Sequence, residues 1–507
     1  SARLTAPEAG ASVYRDLQRV VQEAPRHGER VHVAGEAVLG EHLGEYLDRD
    51  ARRLNPLAVI VIGAVLFFAY RTLRGTLLPL LAAGSGIGVA FGAMALIGIP
   101  YYLLTNVLPA VLLAIGVAYG LHLMGEYYER SSDPLTPDRT ALVVDSTLRM
   151  WRPVVFTAFT DVAGFADLAI TTSMPPMQRF GFFACLGALV TLAFTLTAIP
   201  AALALLPVRA SRTVGAHGGG AGTGAAGDRV HRMVDALGGF VVRHPRPIVA
   251  AAAVLLLIAL PAATRLRADE DRVGNFDRSE PIYEAVTVAN RVLDGTVALD
   301  VLVEADEPEG LLRPENLRRV DDLQGFAESV PSVGGTQSVV DFLKEIDRAL
   351  AGGQESSGSL PDSEELAAQA LLVASLGGLE GELSHFIDSD HRRGIVRVYY
   401  KSGRYSHIRE AWESLDRYVR EHFNGPGIRA RLSGRMSVYY AWMRGLGASH
   451  FLGVGIALLT VWIMVGVGFR SFWAGLFAVV PVSATLLAIY AVMGATGIWL
   501  RVGTSAF

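Results

Sequence analysis

Asp161 invites a chemical reading because it is an acid inside an apolar run. From Pro153 to Ala166 it is the sole charged residue, and Asp167 follows directly. If the run is a helix entering a bilayer near Arg152, Asp161 lies about 13 Å deep at about 1.5 Å of rise per residue. A carboxylate at that depth is costly and needs a partner or a purpose. Thr157 and Thr160, four residues and one residue before it, are placed to hydrogen-bond toward or alongside it. Two chemistries fit. Asp161 is either a proton-relay or pathway residue, or a neutral carboxylic acid that packs helices together. Asp167, further along, is expected near the outer interface in a structural role.

A neighbouring run holds the other candidates. Tyr119 stands between Ala118 and Gly120, where it either presents its hydroxyl inside a helix bundle or packs as an aromatic ring. His122 falls close to the inner interface, where a partly hydrated imidazole needs no special role. Gly84, Gly88 and Gly92 recur every four residues, a spacing that allows close helix approach and therefore predicts packing, not chemistry. Other chemistries find no residues. Cys185 is the single cysteine, which excludes an intrachain disulfide and a cysteine-based metal site. The segment 264–450 has no nucleophile elbow, no His-Glu-x-x-His and no spaced carboxylate pair. It therefore offers no catalytic residue, bound metal or cofactor. His217–Gly227 is glycine-rich but lacks the Gly-Lys-Ser/Thr ending of a phosphate loop, so it reads as a flexible linker. A net charge of -4 without a basic stripe argues against nucleic acid.

These residues must be positioned by membrane helices. Hydrophobic residues make up 51% of the 507, only 19% are charged, and the mean hydropathy is +0.35. Gly75–Gly125 contains no Asp, Glu, Lys or Arg, which is room for two spans at about 20 residues each. Eight spans are predicted, at 54–70, 77–97, 103–124, 153–172, 181–206, 248–263, 451–469 and 472–497. The connections placed inside carry thirteen arginines, among them Arg71, Arg130, Arg209 and Arg470. The opposite short connections carry Arg179 and Arg501. By the positive-inside rule, residues 264–450 face outward.

The outward segment reads as mixed α/β. Alternation at Ala298–Val303, Ile395–Tyr400 and Ile428–Leu432 predicts strands. Pro314–Ser329 and His407–His422 carry apolar residues on one helical face. A β-α-β order occurring twice predicts a ferredoxin-like split βαβ pair, interrupted by a helical insertion over Ser338–Leu376.

A constant offset of 399 residues relates the two ends of the chain. It lays Gly35 on Gly434, Arg71 on Arg470, Met94 on Met493, Gly98 on Gly497, Ile99 on Ile498 and Thr105 on Thr504. Such an offset over matching hydropathy signals duplication. It predicts about 150 residues ahead of Ser1 and about 100 behind Phe507 in the complete protein. The expected organisation is 1–50, the tail of a first outward domain; 51–207, the five-span bundle of the first repeat; and 208–246, a cytoplasmic linker. There follow 247–264, the first span of the second repeat; 265–449, a second outward domain, which the resemblance given next makes a periplasmic porter domain; and 450–507, two further spans.

The motifs Phe68–Leu80, Ile115–Leu123, Phe159–Leu168, Met174–Gly187 and Leu360–Gln369, in this order, resemble the resistance-nodulation-division superfamily. The similarity is to its MMPL-type exporters, which are related to Patched and Niemann-Pick proteins through the sterol-sensing domain. The resemblance implies an α-helical polytopic inner-membrane protein with an extramembrane α/β ferredoxin-like porter domain facing the periplasm. It implies proton-driven export of a hydrophobic or lipid-like substrate, with coupling in the fourth and tenth of twelve spans. Membrane lipids and protons are implied partners, and a periplasmic adaptor or binding protein and a homo-oligomer are compatible with it. In many relatives an Asp stands where this chain has Ala118, whereas Tyr119 and His122 match. The Thr160-Asp161 pair matches a fifth-span motif of Patched-like relatives. The second-half counterpart of Ala118 would fall at position 517. Two alternatives stay open: a non-pumping sterol or lipid sensor or scaffold, and an accessory component of a secretion assembly.

Overall fold

The computed structural model describes residues 7–23, 30–100, 103–131, 138–207, 225–350 and 358–505. Of the linker predicted over 208–246, residues 208–224 lie outside the described residues, and most of the remainder is helical, at Ala225–Arg243. In chain order the elements begin with helices α1 (Pro7–Glu23), α2 (Glu36–Tyr70), α3 (Leu73–Leu96), α4 (Leu108–Ser131), α5 (Arg139–Thr171) and α6 (Pro175–Leu205). Next come α7 (Ala225–Arg243), α8 (Pro245–Ala263), α9 (Pro281–Val292), strand β1 (Val297–Ala305), α10 (Pro314–Ser329) and β2 (Val333–Gln337). After α11 (Val339–Leu350), α12 (Glu364–Ala374) and α13 (Glu380–Leu383) come β3 (Arg393–Tyr400), α14 (Tyr405–Tyr418) and β4 (Ile428–Ser433). The last helices are α15 (Gly434–Gly468), α16 (Phe472–Thr496) and α17 (Val502–Ser505). They group into two compact units, Ser1–Gly44 with Asp269–Arg444 and Glu45–Ala268 with Gly445–Phe507.

The first unit is built on a four-stranded antiparallel sheet in the order β2-β3-β1-β4. Along β1 the side chains alternate, burying Val297, Leu299, Val301 and Val303 on one face. Val396, Val398 and Tyr400 of β3 join them there, together with Leu317, Val320 and Leu323 of α10 and Ile408 and Leu415 of α14. The predicted strands and both predicted helices are present. Strand β2 is new. Its Val-Gly-Gly-Thr-Gln sequence carries no alternation, and a Cβ at Gly334 would collide with the Asp294 carbonyl. Asp300 of β1 faces Arg397 of β3 in register and accepts from its Nε at 2.8 Å.

Carboxylates of this unit are held below their usual range. Arg393 donates to Glu304, the Ser279 hydroxyl donates to Asp277, and the amides of Gly358 and Ser359 donate to Asp347. A group with a lowered folded pKa adds stability above its unfolded value and loses it as pH falls through the folded one. Hydrogen exchange on the whole chain should therefore show protection in β1 and β3 falling as pH drops from about 5 to about 3. Constant protection over that window would mean these contacts do not stabilise the sheet.

The second unit is helical. Among the described residues nine helices are long and apolar enough to cross a membrane, and each predicted span coincides with one of them. The ninth, Glu364–Leu383, belongs to the α/β unit. It breaks at Gly378, whose φ is 94°, and Ala367, Leu371 and Leu383 are buried in the core of the sheet. Four helices of the second unit, α3, α4, α5 and α6, are joined by glycines. A Cβ on Gly86 of α3 would meet the Gly187 carbonyl of α6, and one on Gly116 of α4 would meet Ala83 of α3. A Cβ on Gly181 of α6 would meet the Phe165 carbonyl and the Ala169 amide of α5.

Gly84, Gly88 and Gly92 do not do this work, contrary to the reading of their spacing. All three are exposed, with nothing within 4 Å of where a Cβ would stand. The ladder is regular, but α3 packs through the opposite face, where Ala83, Gly86 and Ala90 are buried.

The repeat is written in the backbone as well. Arg71 and Arg470, 399 residues apart, are non-glycine residues in the left-handed region, at φ 51° and 52°. The next residues, Thr72 and Ser471, each cap a helix by accepting from the amide three residues on. At the far ends Gly98 and Gly497 have φ 67° and 72°. The Ile99 amide bonds Met94 O at 3.0 Å and the Ile498 amide bonds Met493 O at 2.9 Å.

Candidate functional site

The site forms where α4 and α5 meet. Small residues let them approach: Ala158 of α5 is fully buried and packs with Val154 beside Tyr119 of α4. Tyr119 has no exposed surface. Its hydroxyl donates to Asp161 Oδ2 at 2.7 Å, linking two positions 42 residues apart in sequence. A carboxylate drawn out of water is tolerable when a charge-assisted hydrogen bond meets it, and such a bond is worth about 1.5–3 kcal/mol. Asp161 is half-buried, and its remaining surface opens into a cavity.

That cavity is about 480 Å³. Residues of α5 line one side, and residues of α15 and α16 line the other, including His450, Val454, Leu458 and Leu486. No arginine or lysine is among its lining residues. An acid with a buried phenol behind it and an open volume before it suits either reading, a neutral hydrogen-bonded link between α4 and α5 or a proton-exchanging group. As the latter it can take up a proton from the cavity and give it back, and the Tyr119 hydroxyl stabilises the charged form.

The other sequence candidates are placed differently. Thr157 donates to Pro153 O at 2.9 Å and Thr160 to Thr157 O at 2.6 Å, so each bonds its own helix. A hydroxyl one turn from an acid finds the i−4 or i−3 carbonyl first. Thr160 still lines the cavity; Thr157 does not. His122 is exposed and away from it.

The sequence under-read two residues. Asp167 is 8% exposed, lines the same cavity, and its Oδ1 has no hydrogen-bond partner among the described residues. His450 lies across from it on α15, where its Nε2 meets the Tyr490 hydroxyl at 2.8 Å and its Nδ1 meets Ser505 O at 3.1 Å. A signal for His450 was present. It is an imidazole at the edge of a 19-residue apolar run, 451–469.

A family model described as "MMPL family" matches residues 3–248. Over those residues the chain is similar to the MMPL family. The match takes in α2 to α6, the helices that carry Tyr119 and Asp161. The chain is 27% identical over 351 residues to "Probable transport protein MmpL9" of Mycobacterium tuberculosis, covering 65% of this chain and 33% of that protein. It is 26% identical over 196 residues to "Trehalose monomycolate exporter MmpL3" of the same organism, covering 38% of this chain and 20% of that one. The hedgehog release protein Disp of the water bear Hypsibius dujardini superposes on 99% of this chain and 64% of its own, with a TM-score of 0.61 at 13% identity. That likeness shows the fold. The chain spans about a third of the length of MmpL9. The chain is a multi-pass membrane protein of mostly helical architecture.

Proposed function

We propose that the complete protein is a proton-driven exporter of a hydrophobic or lipid-like molecule, of the resistance-nodulation-division type, and that Asp161 and Tyr119 belong to its coupling region. The observation that carries this reading is the 2.7 Å hydrogen bond from Tyr119 to Asp161, formed between two membrane helices at the wall of a cavity. The printed names of the MmpL relatives, a transport protein and a lipid exporter, support the substrate class. The arginine distribution supports an inner-membrane orientation with the α/β unit in the periplasm. We read that unit as a ferredoxin-like porter domain, since β2-β3-β1-β4 with antiparallel neighbours is the order a split βαβ pair produces. The backbone repeat supports alternating states of two related helix sets as the working cycle.

A sensor that binds lipid without moving it is the second reading. Ala118, where many relatives carry an acid, favours it. Liposomes holding the full-length protein and a fluorescent long-chain lipid separate the two. An exporter transfers the lipid to acceptor liposomes faster than protein-free liposomes do. Equal rates would leave the sensor.

A further inference from the structure

The polar lining of the cavity is one-sided. Asp161 Oδ2 is taken by Tyr119. His450 has no donor to spare: a carbonyl oxygen only accepts, so Nδ1 carries the hydrogen that bonds Ser505 O, and Nε2 of the neutral ring accepts from Tyr490. The Thr171 hydroxyl donates to the main-chain carbonyl of Asp167 at 2.9 Å and also lies close enough to interact with its carboxyl group, but Oδ1 stays unmet among the described residues. Asp167 is left buried, with Oδ1 unpartnered among the described residues, and no lysine or arginine lines the space in front of it. Its Oδ2 lies against Gly453, where any Cβ would overlap it. A buried acceptor without a donor is a costly arrangement, and a ligand that brings the donor offsets that cost. Apart from the hydroxyl residues Thr160, Thr172, Ser449 and Ser505, the rest of the wall is apolar, with Val454, Leu458, Val461, Val482 and Leu486 able to flank a hydrocarbon chain.

We propose that this cavity binds the head of an amphiphile that donates hydrogen bonds and bears no negative charge, such as a long-chain amine or alcohol, with Asp167 as the acceptor. Two carboxyl groups and no facing cation exclude a phosphate or carboxylate head by repulsion and desolvation. The volume lies within the range of about 300–1,000 Å³ usual for small-molecule sites. The proposal deepens the transport reading by naming the head of its substrate class.

The test is binding of hexadecylamine, hexadecanol and hexadecanoate to the detergent-purified full-length protein, read by native mass spectrometry. The amine and the alcohol are expected to bind, and the acid to bind far more weakly. Asp167→Asn keeps an acceptor and removes the charge, so it should weaken the amine about 10- to 100-fold and the alcohol much less. Asp167→Leu should lose both, and the unfolding temperature of each variant is measured beside it. Gly453→Ala, which displaces the carboxylate, should weaken the amine while leaving the fold intact. Equal binding of the three ligands by the unmodified protein would overturn the proposal, and so would amine binding that ignores Asp167. Because the readout is binding, absent lipid transfer with intact head selectivity removes the transport reading and leaves this site standing. Transfer without head selectivity does the reverse.

Discussion

Tyr119→Phe and Asp161→Asn, each made in the full-length protein, should lower lipid flux by about 10- to 100-fold while leaving the unfolding temperature nearly unchanged. Phenylalanine keeps the ring that fills the fully buried Tyr119 position, so the packing against Val154 and Ala158 survives. Only the hydroxyl that meets Asp161 Oδ2 at 2.7 Å is lost. The variant acid remains able to take a proton but loses the donor that stabilises its charged form. Asp161→Asn keeps the shape and removes the proton step altogether, so its defect should be the deeper and should not respond to pH. The double variant should be no worse than Asp161→Asn alone, because the two groups act as a unit. Additive losses would mean that the pair is structural and that the two residues stabilise α4 and α5 separately.

Gly181→Leu should be the most disruptive single change in the membrane unit. A Cβ there would overlap the Phe165 carbonyl and the Ala169 amide of α5, and backbone atoms cannot rotate out of the way. Separating α5 from α6 moves Asp161 as well. Overpacking of this kind costs about 1–3 kcal/mol, occasionally more, so both the unfolding temperature in detergent and the flux should fall. Gly88→Leu is the control. Its Cβ would enter open space, and both quantities should stay unchanged. Equal damage from the two would restore Gly84, Gly88 and Gly92 as the packing face of α3.

That contrast shows how far the sequence could be read. Each predicted span coincides with a long apolar helix, because about 20 apolar residues without a charge have few other uses in a folded chain. The glycine ladder failed on direction. Spacing places residues on one face of a helix but does not say which face meets a neighbour. Asp161 was conspicuous as an acid in an apolar run, and Tyr119 was one aromatic among many. Their pairing over 42 residues came from the helix packing, not from any local pattern. Thr157 and Thr160 were read toward Asp161 because they are adjacent, yet the carbonyl of the preceding turn captured both hydroxyls. Asp167 was placed near the outer interface in a structural role because it lies further along the span than Asp161. It became a cavity residue through α15, nearly 300 positions later in the chain. The 399-residue offset was the most durable reading, since identical backbone turns at Arg71 and Arg470 reproduce it without reference to side chains.

The central claim is that a proton passing through Asp161 drives lipid movement. The most direct measurement is lipid transfer from liposomes holding the full-length protein, with and without an imposed pH gradient, in the unmodified protein and in Asp161→Asn. The account predicts that the gradient accelerates transfer by the unmodified protein, that a protonophore abolishes the acceleration, and that Asp161→Asn is insensitive to both. Transfer that proceeds at one rate whatever the gradient, or an Asp161→Asn variant that still responds to it, would contradict the account.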